Sequence, residues 1–246
     1  GISRRASSSG QEVGSLNLIK AIVFDLDNTL VQSHIDYVRL KAAVLIELSR
    51  AGVPKHLIIP EESVVENFVR GKEYLERHAG PSDLRELDRR LDLVLTEIEM
   101  ERVDQVQEIE GALALVKSLS ERGIEVGVLT RGSRRYATTV LRRTGFDGQI
   151  EHLVCRDDFP MEEAKPNPLA MGRIAEKLNC LPEECLFIGD HAMDQECAKA
   201  SGAGFIGVLT GSTSREGWLQ AGCSVVMESV ADLPQWLRER ELSGRR

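Results

Sequence analysis

The sequence predicts an α/β protein: a doubly wound parallel sheet with a small α-helical subdomain inserted after its first strand. Three observations carry this. From Gly111 onward, short apolar runs alternate with helix-length segments, the pattern of parallel strands joined by crossover helices. Between about Asp36 and Gln107 a charged, helix-periodic stretch interrupts the alternation. Finally, polar and charged groups stand directly after four strand-like runs, where open parallel sheets gather ligands.

The elements follow in order. Residues 1–17 open with GISRRASSSGQEVGS, rich in Ser and Arg with one acid, expected to be a disordered tail, an expression remnant or part of a targeting segment. Leu18–Phe24 is apolar and β-branched apart from Lys20, as a buried strand requires. Helices are expected over Tyr37–Ala51, Pro60–His78 and Ser82–Asp104, punctuated by Gly52-Val53-Pro54 and Gly80-Pro81. In the third, Leu84, Leu87, Leu91, Val94, Leu95 and Ile98 form an amphipathic stripe. Helix–strand pairs then read Gly111–Arg122 with Ile124–Leu129, Ser133–Thr144 with Ile150–Val154, Asn167–Leu178 with Cys185–Ile188, and Asp194–Ser201 with Gly204–Leu209. Strand Ser224–Met227 and helix Val230–Glu239 close the chain. The expected division is a sheet core over 18–34 and 108–246, and a helical cap over 35–107.

Composition narrows the function. The 246 residues are 42% hydrophobic and 28% charged, ordinary for a globular protein large enough for one core and an insert. A formal net charge of -8 offers no broad attraction to nucleic acid or to an anionic membrane, which leaves small molecules as expected partners. No apolar run approaches the ~20 residues of a membrane span. Cys155, Cys180, Cys185, Cys197 and Cys223 form no CxxC pair and read as reduced packing thiols, Cys197 in the core, which points to a cytoplasmic compartment; the Arg/Ser-rich start leaves an organellar matrix as the other reading.

Asp25 and Asp27 follow the first strand; Thr130-Arg131-Gly132-Ser133 follows the second; Lys165-Pro166 lies after the third; Asp190 and Asp194 follow the fourth. Clustered carboxylates repel one another unless a cation sits among them, and hard oxygen donors without His or Cys suit Mg²⁺. A carboxylate can attack phosphorus as a nucleophile, while a hydroxyl and an ammonium cradle the transferring oxygens. The set reads as a phosphoryl-transfer site.

The motifs DLDNTL (25–30), VLTRGS (128–133), KPNP (165–168) and IGDHAMD (188–194), in this order and each in its strand context, resemble the haloacid dehalogenase-like superfamily, and within it the phosphoglycolate-phosphatase-like group with a helical cap and a Rossmann-like core. The resemblance covers residues from about 18 to 240. It implies a Mg²⁺-dependent phosphatase acting on a small phosphorylated metabolite, phosphoglycolate first, through an aspartyl phosphate. Asp25 would be nucleophile and metal ligand. Asp27 would be general acid and base, with its backbone carbonyl on the metal. Thr130 and Lys165 would hold the phosphoryl group, and Asp190 and Asp194 would complete the metal site. Asn28, where relatives often carry Gly, would sit in the phosphate loop in a left-handed conformation.

Arg131 stands between a substrate-binding and a structural reading. His34, at the edge of the cap, and His191 read as solvated loop residues. Arg70-Gly71-Lys72 reads as a tolerated glycine kink with solvated cations. Rival functions are a dehalogenase of this fold, which has no use for Asp27; a phosphomutase, which shares every motif; and a silent binding module, which predicts loss of a motif residue where none is lost.

Overall fold

Alternation within one four-residue strand divides the core in two. In β1 (Ala21–Phe24), Ile22 and Phe24 pack into one apolar cluster, while Ala21 and Val23 pack into another on the opposite side. Successive strand residues point to opposite faces, so a strand covered on both reads as one continuous apolar run. The computed structural model describes residues 19–243. The expected tail at 1–17, and Leu18 of the first expected strand, lie outside the described residues.

Five further strands, β4 (Glu125–Leu129), β5 (His152–Val154), β6 (Cys185–Gly189), β7 (Gly204–Val208) and β8 (Val226–Met227), join β1 in a parallel sheet of order β5-β4-β1-β6-β7-β8. Helices α4 (Ala112–Glu121), α5 (Arg134–Arg143) and α9 (Leu233–Ser243) bury residues in the first cluster; α6 (Pro168–Lys177), α7 (Ala192–Ser201) and α8 (Arg215–Gln220) bury theirs in the second. The helices change face between β5 and β6. A crevice therefore opens at the carboxyl ends of β1 and β6, where the chain departs to opposite sides. No described helix is long and apolar enough to cross a membrane.

The inserted helices α1 (Tyr37–Arg50), α2 (Val64–His78) and α3 (Pro81–Met100) enclose their own cluster, with Val44 and Leu48 meeting Phe68, Leu75, Leu87, Leu91 and Leu95. Two of these inserted helices differ from expectation by more than one residue at their ends, as does α9, which starts at Leu233 after a 3-10 turn at Val230–Asp232 where a helix from Val230 was expected. α2 starts at Val64 because Ser63 and Glu66 form a capping box: Glu66 N donates to Ser63 Oγ at 3.1 Å, and Ser63 N to Glu66 Oε2 at 2.8 Å. α3 begins on Pro81, whose fixed φ suits a first helical position, and stops at Met100, before a single 3-10 turn at Val103–Gln105.

Gly71 lies inside α2, which runs without interruption from Val64 to His78. A Cβ at Gly71 would stand 2.8 Å from Leu48 Cδ2; the glycine exists to let α1 and α2 close up. Gly71→Val is expected to destabilise the protein by about 1–3 kcal/mol through overpacking, read as a lower denaturation midpoint.

β2 (Val31–Gln32) and β3 (Gln107–Glu108) pair antiparallel where the chain enters and leaves the insert. Gln107, expected in the helical insert, is thus a strand residue; two-residue strands carry no periodicity to read. The six-residue α8 escaped for the same reason, and β1 and β5 are shorter than their apolar runs.

Candidate active site

The parallel ladder continues one step beyond β1, with Asp25 N donating to Ile188 O at 2.9 Å. This pins the first carboxylate where the sheet ends. The chain then turns sharply. Asn28 takes φ 59, a left-handed conformation that Asn tolerates better than most residues. Its N–H donates to Val31 O at 2.6 Å, its carbonyl accepts from Thr210 Oγ1 at 2.6 Å, and its side chain accepts from Ser33 N at 3.4 Å. The Asn28 amide is therefore engaged within its own loop.

Lys165 links two motifs. Its ammonium donates to Asp25 Oδ1 at 2.6 Å and to Asp194 Oδ1 at 2.7 Å, all three residues being buried. Asp194 Oδ2 accepts from His191 N at 3.1 Å, bonding back from the first turn of α7 to its capping residue, His191. That geometry starts the helix at Ala192, two residues before the expected Asp194. Ser212 N reaches Asp190 Oδ2 at 3.4 Å. A Cβ at neighbouring Gly211 would lie 1.7 Å from that oxygen, so only glycine allows this approach.

Asp25, Asp190 and Asp194 each present a carboxylate oxygen within 4.8 Å of the others. Burial pushes Asp25 up to about 6, with Lys165 opposing and Asp190 adding to the rise. Burial, then the charge of Asp25, pushes Asp27 up to about 7. Asp190 and Asp194 are raised by burial as well. Burial also works against the Lys165 charge, but Asp194 and Asp25 outweigh it and hold this group above its ordinary value. Four buried carboxylates thus gather around a site where one ammonium pairs with two of them, a crowding that a divalent cation among hard oxygen donors would relieve. The donor set fits Mg²⁺.

Thr130 N donates to Val154 O at 3.0 Å, and Thr130 Oγ1 accepts from Gly132 N at 3.0 Å. Three neighbours of this loop had no legible signal. Tyr136, fully buried on α5, donates its hydroxyl to Asp27 Oδ1 at 2.6 Å. Glu99 of α3 accepts from Ser133 N at 3.0 Å and faces buried Arg156 at 3.4 Å. Arg156 also reaches Asp92 at 2.9 Å. These contacts join residues 34 to 109 positions apart, beyond any local pattern. Gly132, Gly189 and Gly211, glycines at or just past strand ends, are the local hints of close approach, since a Cβ at any of them would run into Tyr136, Asp194 or Asp190.

Arg131 donates to the Lys165 carbonyl, and burial, followed by repulsion from Arg156, lowers its guanidinium to about 10. His34 is half-buried before α1, and His191 is exposed, accepting from Met193 N through Nδ1 at 3.2 Å. Arg70 turns inward, to Leu57 O at 2.9 Å and Glu62 at 2.5 Å. Lys72, expected to be solvated, is buried and pairs with Glu162 at 2.7 Å across the boundary between insert and sheet core. Cys197 is buried in the second cluster, as expected.

Comparison with known proteins points to one family and one fold. A sequence model of the haloacid dehalogenase-like hydrolases matches residues 19–202. The phosphoglycolate phosphatase of Rhodospirillum rubrum is 28% identical over 228 residues, covering 89% of this chain and 90% of the relative. That of Pseudomonas putida is 26% identical over 200 residues, covering 79% and 71%. Among solved structures, a hydrolase from Pseudomonas syringae superposes with TM-score 0.61 at 24% identity, covering 89% of this chain and 98% of that one. A hydrolase from Deinococcus radiodurans with bound phosphate and sodium gives 0.58 at 22%, covering 91% and 97%.

Proposed function

Since the chain belongs to the haloacid dehalogenase-like hydrolase family, we propose that it hydrolyses a small phosphate monoester through a phosphorylated Asp25. The observation that carries this reading is the pairing of two carboxylates with different environments: Asp25 bound by the Lys165 ammonium at 2.6 Å, and Asp27, two residues on, pushed up to about 7. A carboxylate attacks phosphorus best when its charge is positioned but not quenched. A carboxyl that titrates near neutrality serves as general acid and, once deprotonated, as general base.

Asp25 attacks phosphorus, forming a P–O bond to its carboxylate as the ester P–O bond breaks. Asp27 gives its proton to the departing alkoxide. The same residue then accepts a proton from the water that attacks the phosphorus of the acyl phosphate, restoring Asp25 and releasing phosphate. Tyr136 holds the Asp27 carboxyl in place through its 2.6 Å hydrogen bond. Lys165 stays paired with Asp25 and Asp194 and offsets charge gathering on the phosphoryl oxygens, with Thr130 placed to donate to one of them. Asp25, Asp190 and Asp194, with the Asp27 carbonyl, would hold Mg²⁺, which when bound supplies further charge neutralisation. Helices α1–α3 act as a lid that excludes water while the leaving group departs; Glu99, Arg156 and Lys72 fasten it to the core.

The names of the bacterial relatives make 2-phosphoglycolate the first substrate to test. Para-nitrophenyl phosphate and a panel of small phosphate esters, each assayed with magnesium and with chelator, decide the reading. Turnover with magnesium and none with chelator is expected. Interconversion of sugar phosphates without release of inorganic phosphate would favour a mutase instead.

A further inference from the structure

Away from the carboxylates, at the opposite end of β6, two cysteines meet. Cys180 and Cys185 share a hydrogen bond with their sulfurs 3.2 Å apart, whereas a disulfide needs about 2.05 Å. Closing that gap requires about an ångström of movement. The chain between them is a single 3-10 turn, Pro182–Glu184, which folds the two residues back on each other. Asn179, just before Cys180, turns the chain out of α6 with φ 52. Cys180 is partly exposed, and Cys185 is buried at the start of β6.

We propose that Cys180 and Cys185 are an oxidisable pair, closed to a disulfide by hydrogen peroxide. The more exposed Cys180 is attacked first: its sulfur takes one peroxide oxygen as the O–O bond breaks, giving a sulfenic acid and water. The Cys185 sulfur then displaces that oxygen, forming S–S and breaking S–O, and its proton leaves with the hydroxide as a second water. Two thiols are oxidised and one peroxide is reduced.

Burial raises both thiols, so the pair rests as a dithiol at neutral pH and reacts slowly. At Cys180 this is opposed by the hydrogen bond from Cys185 and by nearby Lys20, whose ammonium pairs with Glu184 at 2.6 Å. The other three cysteines are free and engage no second sulfur among the described residues. The disulfide would tie the end of α6 to the start of β6, leaving the carboxylates at the far end untouched.

The test treats the reduced full-length chain with hydrogen peroxide, alkylates it under denaturing conditions, and weighs it intact and after cleavage at glutamate. Cleavage after Glu183 or Glu184 leaves peptides joined only by the crosslink. The expected product has lost two hydrogens, keeps three alkylatable cysteines of five, and returns to five with dithiothreitol; in Cys180→Ser it does not form. Five alkylatable thiols after peroxide, sulfinic acid at Cys180 without a crosslink, or a crosslink surviving in Cys180→Ser would each overturn the proposal.

Discussion

Asp25→Asn is expected to lower phosphate-ester turnover at least about 10⁴-fold, the scale seen when a covalent nucleophile is removed, without loss of fold. An amide has the shape of the carboxylate but no charge with which to attack phosphorus. The fold should tolerate it because burial already opposes the Asp25 charge, raising the group to about 6, and Lys165 keeps Asp194 as a partner at 2.7 Å. Initial rates with magnesium, set beside the thermal midpoint measured with chelator, check both halves. The midpoint should be unchanged or higher while turnover disappears. A fall in both together would mean that Asp25 is chiefly structural.

Lys165→Met should cost more broadly. It removes the ammonium between Asp25 and Asp194 and leaves two buried carboxylates facing each other. Breaking a buried pair by deleting one partner costs about 3–5 kcal/mol, because the remaining charge stays desolvated. Losing the cation that offsets phosphoryl charge should also lower kcat about 10²–10³-fold. The double variant Lys165→Met with Asp194→Asn separates the effects: removing the stranded acid should recover much of the stability and none of the turnover. Urea denaturation and steady-state rates measure the two. Recovery of turnover in the double variant would contradict the role given to Lys165.

How far the sequence reaches can be seen residue by residue. β1 and its continuation into Asp25 were legible because a strand buried on both faces has no polar alternation, so the first acid marks its end. The stripe on α3 was legible because Leu87, Leu91 and Leu95 do bury together. What connects the motifs was not. Lys165 reaches Asp25 across 140 positions and Tyr136 reaches Asp27 across 109, and only the folded sheet brings such residues together. Lys72 shows the same limit in reverse: a lysine on an amphipathic helix reads as solvated, and its partner Glu162 comes from a distant segment. The ends of α2 and α3 were missed for a local reason, since side-chain caps and a proline outrank apolar periodicity in setting a helix boundary.

The most direct test is chemical trapping during turnover. Protein mixed with para-nitrophenyl phosphate and magnesium, quenched in the steady state and reduced with borohydride, converts any acyl phosphate into homoserine at the residue that carried it, which peptide mass analysis locates. Homoserine at position 25, absent without substrate and absent in Asp25→Asn, is the predicted result. Continued phosphate release with position 25 unmodified, or homoserine at position 27 or 194 instead, would contradict a mechanism that passes through Asp25.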